Sequence, residues 1–322
     1  MYKIFFLLLT SSSIIMIMSA NSWLSMYIGL ELNLLSFIPL IYKKNNPHSL
    51  ECVMKYFLIQ VIASSVLLFS LIINYHESYF TESSLIISLM LKMGMAPLHF
   101  WLPEVMEGLS WMNCLLIATI QKIAPMSMMM NITPNNFFFY LIIFGGIMVG
   151  GLLGMNQISL RKLLAFSSMT HMSWMYSMIN LNSTIWLYYF LVYCMISMNI
   201  MIFLMLTNVF YMNQLMFKMN NFLKLIFSMN FISLGGLPPF LGFYPKWLTM
   251  KFLIMNNFLY ISFMMMIFTL ITMYFYTKFL LKIFSSQSYF MKFNMKFSFY
   301  ALFFNLVNLF LLIIMTFSLN LI

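Results

Sequence analysis

Five ionisable side chains, Glu31, Lys92, Lys122, His171 and Lys246, lie in or beside long apolar stretches. A charged amine in a bilayer interior costs roughly 2.5–3.5 kcal/mol on insertion scales, so such residues are buried in a helix bundle or face water. One carboxylate, three amines and an imidazole at that depth can bind and release protons or ions along a path. Metal or cluster chemistry is not suggested elsewhere. Cys52, Cys114 and Cys194 are far apart, and no Cys-x-x-Cys pair occurs, so zinc and iron–sulfur spacing is missing and the thiols read as packing residues. His48, His76, His99 and His171 have no paired spacing for haem or a metal.

The surroundings of these residues sharpen the reading. Lys92 is followed at once by Gly94 and Pro97, and Pro103 and Gly108 end the segment. Glycine and proline loosen or break a helix. Broken backbone at membrane depth is tolerated only where protein or a water-filled cavity surrounds it. A second interruption covers Gly235, Gly236, Pro238, Pro239, Gly242 and Pro245, with Lys246 directly after it. Each residue also has a bland reading. Glu31 could be a protonated, hydrogen-bonded carboxyl, and Lys122 or Lys246 an amine snorkelling to a surface. His171 could be structural; it shares a helix face with Ser167 and Thr170, which either bonds to a neighbour or holds water.

The elements that must position them follow from composition. The chain has 322 residues, 63% hydrophobic and 7% charged, which excludes a soluble or disordered domain. At about 20 apolar residues per span, about eleven transmembrane helices are predicted: about 3–20, 23–42, 52–74, 83–102, 109–130, 136–155, 163–180, 184–210, 225–250, 257–281 and 298–320. The runs are continuous rather than alternating, against a β-barrel. A signal-peptide reading of the N-terminus fails because ten further spans follow. Pro125 should kink the fifth span one turn after Lys122. Gly146, Gly150 and Gly154, four apart, make a close-packing face.

Net charge is +10, but no basic stripe lies on a soluble surface, so no nucleic-acid partner is expected. With the N-terminus on one side, Lys3, Lys43, Lys44, Arg161, Lys162, Lys218, Lys224, Lys282, Lys292 and Lys296 all fall on that side, which marks it as the positive-inside face. Within a single membrane domain, the first ten spans divide into two sets of five, 1–130 and 131–283, with the broken helix fourth in each. Five is odd, so the sets run in opposite senses. That is the sequence pointer to inverted repeats and a midplane site. Residues 284–322 add a C-terminal helix.

Three stretches, FWLPEVMEGLSWMNCLL (100–116), LRKLLAFSSMTHMSWM (160–175) and SLGGLPPFLGFYPKW (233–247), resemble the antiporter-like membrane subunits of respiratory complex I. Animal mitochondrial members, insect ones in particular, are the nearest match. The resemblance extends over nearly the whole chain and weakens after about residue 285. It implies an all-α polytopic fold of two inverted five-helix repeats, each with a discontinuous helix. The three leading helices of bacterial relatives are missing here. It implies that Glu31 is the family's membrane glutamate, Lys92 its partner lysine, and Lys122 the central lysine. Lys246 is then the lysine after the second break, and His171 a member of the linking polar chain. It also implies the mitochondrial inner membrane with the N-terminus in the matrix. Implied partners are other membrane-arm subunits and phospholipids, cardiolipin among them. NADH, FMN, iron–sulfur clusters and ubiquinone would belong to partner subunits, with none bound by this chain.

The expected mechanism follows from electrostatics. A carboxylate near a buried amine changes the amine's proton affinity, so displacing Glu31 would alter Lys92. Lys92 would then act on Lys122 through like-charge repulsion in low dielectric. Two other functions stay open: a free-standing cation/proton antiporter, and a structural membrane subunit whose charges only bind neighbours.

Overall fold

The computed structural model describes residues 2–42, 46–73, 79–132, 136–218 and 221–285. Among the described residues the chain is helical, with no strand and one isolated bridge, Ser159 with Tyr211. Lys43, Lys44, His76, Glu77, Lys292, Lys296 and the expected helix at 298–320 lie outside the described residues.

The chain falls into two compact units, one up to Gly146 and one from Ile147. The first holds α1 (Tyr2–Ser19), α2 (Trp23–Ile41), α3 (Pro47–Ile73), α4 (Tyr79–Met93), α5 (Trp101–Gly108), α6 (Trp111–Ala118) and α7 (Ile120–Met129). The long α8 (Asn136–Gly154) leads into the second unit. That unit continues with α9 (Leu160–Ile179), α10 (Ser183–Thr207), α11 (Met212–Lys218), α12 (Asn221–Gly235), α13 (Phe243–Met255) and α14 (Leu259–Ser285).

Five helices are long and apolar enough to cross a membrane: α2, α3, α8, α10 and α14. The other expected spans differ for physical reasons. Three are assembled from paired shorter helices, α4 with α5, α6 with α7, and α12 with α13, and α9 is too polar. On α2, Met26, Leu30, Asn33, Leu34, Phe37, Leu40 and Ile41 are buried at spacings of three and four, while Leu24, Ile28, Leu32 and Leu35 are exposed. A helix apolar on both its packed and its outer face suits lipid rather than water.

In the first break, Gly94 takes φ +68°, a left-handed conformation that glycine adopts without a Cβ penalty. The end of α4 is well satisfied. Met95 N–H donates to Met90 O, while Gly94 N–H and the Trp101 indole both donate to Leu91 O, the latter at 2.9 Å. Gln60 on α3 donates its amide to Lys92 O at 3.3 Å. These bonds serve the orphan carbonyls that any helix end leaves. Trp101→Phe removes one of them, and the assembled protein is expected to lose about 0.5–1.5 kcal/mol of stability, measurable as a lower thermal unfolding midpoint.

The fifth expected span is broken earlier than Pro125 implies. Thr119 has φ −118° and ψ −77° and separates α6 from α7. Both its N–H and its hydroxyl donate to Leu115 O, at 3.0 and 2.7 Å; such back-bonding bends helices. Pro125 lies inside α7 and offers no N–H to the Gln121 carbonyl. Lys122 thus sits between two backbone irregularities.

In the second unit α9 is the core element: every residue except Arg161 and Lys162 in its first turn is buried. Gly150 and Gly154 of α8 leave room for α9. A Cβ at Gly150 would strike Thr170, and one at Gly154 would rest on Phe166 and Phe275. Lys55, expected to snorkel, instead pairs with Glu104 on α5 at 2.7 Å, both half-exposed. An ion pair so exposed contributes little to stability.

Candidate functional site

In the first unit the packing of α2, α3, α4 and α7 brings three of the expected residues together. Lys92, in the last turn of α4, has a side chain only 4% exposed, and its Nζ lies 4.0 Å from Glu31 Oε1 on α2. That is beyond hydrogen-bond length, so the contact is electrostatic. Glu31 Oε1 itself is buried and accepts no hydrogen bond, although the carboxylate side chain as a whole is 29% exposed. Lys92 also sits at the carbonyl end of α4, where partial negative charge favours a cation.

Lys122 is 2% exposed and lines the same small cavity as Lys92. The cavity is about 20 Å³, room for about one water molecule. Asn33, Tyr56, Gln60 and Gln121 supply the rest of its polar wall. These four come from α2, α3 and α7. Of them, only Gln121 stands out in sequence, as a polar residue beside Lys122. The others are single polar residues on separate helices, and only packing shows that they converge.

In the second unit Lys246 opens α13. Its Nζ donates to Gly235 O, the last carbonyl of α12, at 2.6 Å, and lies 5.9 Å from the centre of the Trp174 ring. Gly236, at φ +83°, lets this happen, because a Cβ there would stand 2.8 Å from the lysine Cδ. Lys92 precedes its break and Lys246 follows its own, yet both reach the carbonyl end of the first half-helix. No carboxylate side chain follows Glu107 in the sequence. The counter-charge this unit offers Lys246 is therefore backbone and ring, not a carboxylate.

His171 is buried on α9. Its Nδ1 lies 3.1 Å from the Tyr189 hydroxyl, and its ring 5.1 Å from that of Tyr193. Trp174, the ring beside Lys246, is three residues along the same helix. The hydroxyls of the expected polar face turn back on their own helix. Ser167 donates to Leu164 O at 2.9 Å and Thr170 to Ser167 O at 2.7 Å. Each oxygen can still accept, but neither hydroxyl proton reaches a neighbouring helix. Among the described residues no group of three His, Cys or Glu side chains could hold a metal ion.

The chain matches the model of the family described as NADH:quinone oxidoreductase/Mrp antiporter, TM, over residues 20–81 and 71–275. It is 45% identical over 270 residues to NADH-ubiquinone oxidoreductase chain 2 of Anopheles gambiae, covering 80% of this chain and 79% of that protein. The chain 2 protein of Aedes aegypti is 43% identical over 272 residues, with 81% and 79% covered. A chain of respiratory complex I from Thermus thermophilus superposes with a TM-score of 0.84 at 21% identity, over 96% of this chain and 78% of that one.

Proposed function

Because the chain belongs to the NADH-ubiquinone oxidoreductase chain 2 family, we propose that it contributes a proton path to the membrane arm of complex I. It is an all-helical, antiporter-like integral membrane protein. Its place is the mitochondrial inner membrane, among other membrane-arm subunits and phospholipids, cardiolipin included, with the N-terminus in the matrix. Eleven spans, arranged as two inverted five-helix repeats at 1–130 and 131–283 and a final helix within 284–322, belong to the same proposal. NADH, FMN, iron–sulfur clusters and ubiquinone belong to partner subunits, and this chain supplies no redox centre.

The single observation behind the reading is the meeting of a carboxylate and two amines in the first unit. Glu31 lies 4.0 Å from Lys92, and Lys92 and Lys122 line one water-sized cavity. Redox chemistry elsewhere in the complex shifts Glu31 relative to Lys92. Lys92 then gives up or takes a proton, and the charge change passes to Lys122, His171 and Lys246 in turn. Each step is a proton moving between a nitrogen and water, so no bond of the chain itself is made or broken.

Glu31→Gln tests it. A unit charge beside an amine changes that amine's proton affinity by about tenfold or more. Proton translocation per NADH in the assembled variant complex is expected to fall accordingly, while quinone reduction persists. Unchanged translocation would remove Glu31 from the path. A free-standing cation/proton antiporter is the competing reading, since the family description embraces Mrp antiporters. Purification from native membranes decides between them: a lone transporter does not travel with a large NADH-oxidising assembly.

A further inference from the structure

We propose that Gln121 is a positioning residue that confines transfer between Lys92 and Lys122 to a single water; this rests on the proton-path reading above. Gln121 directly precedes Lys122 on α7, between the Thr119 break and Pro125. Its side-chain amide is held at both ends. The Tyr56 hydroxyl of α3 donates to Oε1 at 3.4 Å, and Nε2 donates to Asn33 Oδ1 of α2 at 3.0 Å. All three side chains, with Gln60, Lys92 and Lys122, line the cavity of about 20 Å³.

The chemistry of an amide decides what this arrangement does. A primary amide offers two donors and one acceptor oxygen, but it neither loses nor gains a proton in the neutral range. A proton cannot pass through Gln121 as it can through water or imidazole. With the amide drawn towards Tyr56 and Asn33, the space that remains fits about one water. The transfer then balances simply. The Lys92 ammonium gives a proton to the water as the water gives one of its own to the neutral Lys122 amine. Lys92 ends neutral, Lys122 ends charged, and the water is restored. Gln60, bonded to Lys92 O, fixes the opposite wall.

An amide joining three helices could instead be packing glue, since polar side chains commonly bond across membrane helices. Two variants of the assembled complex separate these roles, with proton translocation and turnover measured in H2O and D2O. Gln121→Met keeps the volume and removes both hydrogen bonds. Translocation is expected to fall by about tenfold, as when a proton-transfer group is displaced, with a larger solvent isotope effect. Gln121→Glu keeps the shape but places a carboxylate that traps the proton between the two amines, and a loss of about tenfold or more is expected. Native translocation and isotope effect in either assembled variant would overturn the proposal. So would losses in both variants that match the fall in assembled complex. Lys122→Ala, run in parallel, keeps the two claims apart: normal pumping there defeats the proton-path reading itself, whatever Gln121 does.

Discussion

Alanine at position 122 is expected to abolish proton translocation while the complex still assembles. Lys122 is 2% exposed, so its amine is far from bulk water on either side. Between Glu107 and Arg161 it is the single Lys, Arg, Glu or His, and no neighbour on α6, α7 or α8 can take its place. A positioned proton-transfer group contributes about 10²- to 10⁴-fold to rate, and a fall of that order in protons moved per NADH is the result to look for. Assembly should survive, because removing a buried amine also removes its desolvation cost. Lys122→Arg separates charge from proton carrying. A guanidinium keeps the positive charge but does not deprotonate in proteins, so this variant should also fail to pump. Pumping by Lys122→Arg would mean that the position needs only a charge.

Gly242→Ala is expected to prevent the protein from accumulating in the membrane. Gly242 precedes α13 in the second break, where a Cβ would be driven into the backbone carbonyl of Ser233 on α12. A flexible side chain could swing aside, whereas a carbonyl in a helix cannot move without the helix. Overpacking typically costs about 1–3 kcal/mol and occasionally more; displacing backbone belongs at the upper end. Membranes carrying this variant should contain little of the chain by immunoblot, and little assembled complex on native gels. Normal levels would show that α12 and α13 can slide apart at low cost. The same motion would loosen Lys246 from Gly235 O.

Much of this was readable before any coordinates. The two breaks announce themselves because glycine and proline act locally: Gly94 and Gly236 take the positive φ that their neighbours could not. Buried amines are conspicuous against an apolar background, and three motifs carry the family resemblance. What was hidden depends on packing. The interruption at Thr119 arises from a hydroxyl turning back on Leu115 O, and most threonines in helices do the same without breaking them. Asn33, Tyr56 and Gln60 meet Gln121 and Lys92 only because α2, α3, α4 and α7 converge. Lys55 finds Glu104 across 49 positions of sequence. Ser167 and Thr170 were legible as a polar face, but their donors point into their own helix. Sequence spacing fixes which face a residue lies on, not which way a hydroxyl proton turns.

The two lysines beside the breaks differ in one respect with a mechanical result. Lys92 answers to a side chain, Glu31, that can be neutralised by a proton or swung away about its own torsions. Lys246 answers to Gly235 O, a peptide carbonyl, which does neither. The first unit therefore has an adjustable counter-ion and the second a permanent one. A signal arriving from outside the chain can be written onto the first amine without moving it, whereas the second changes state only by letting go.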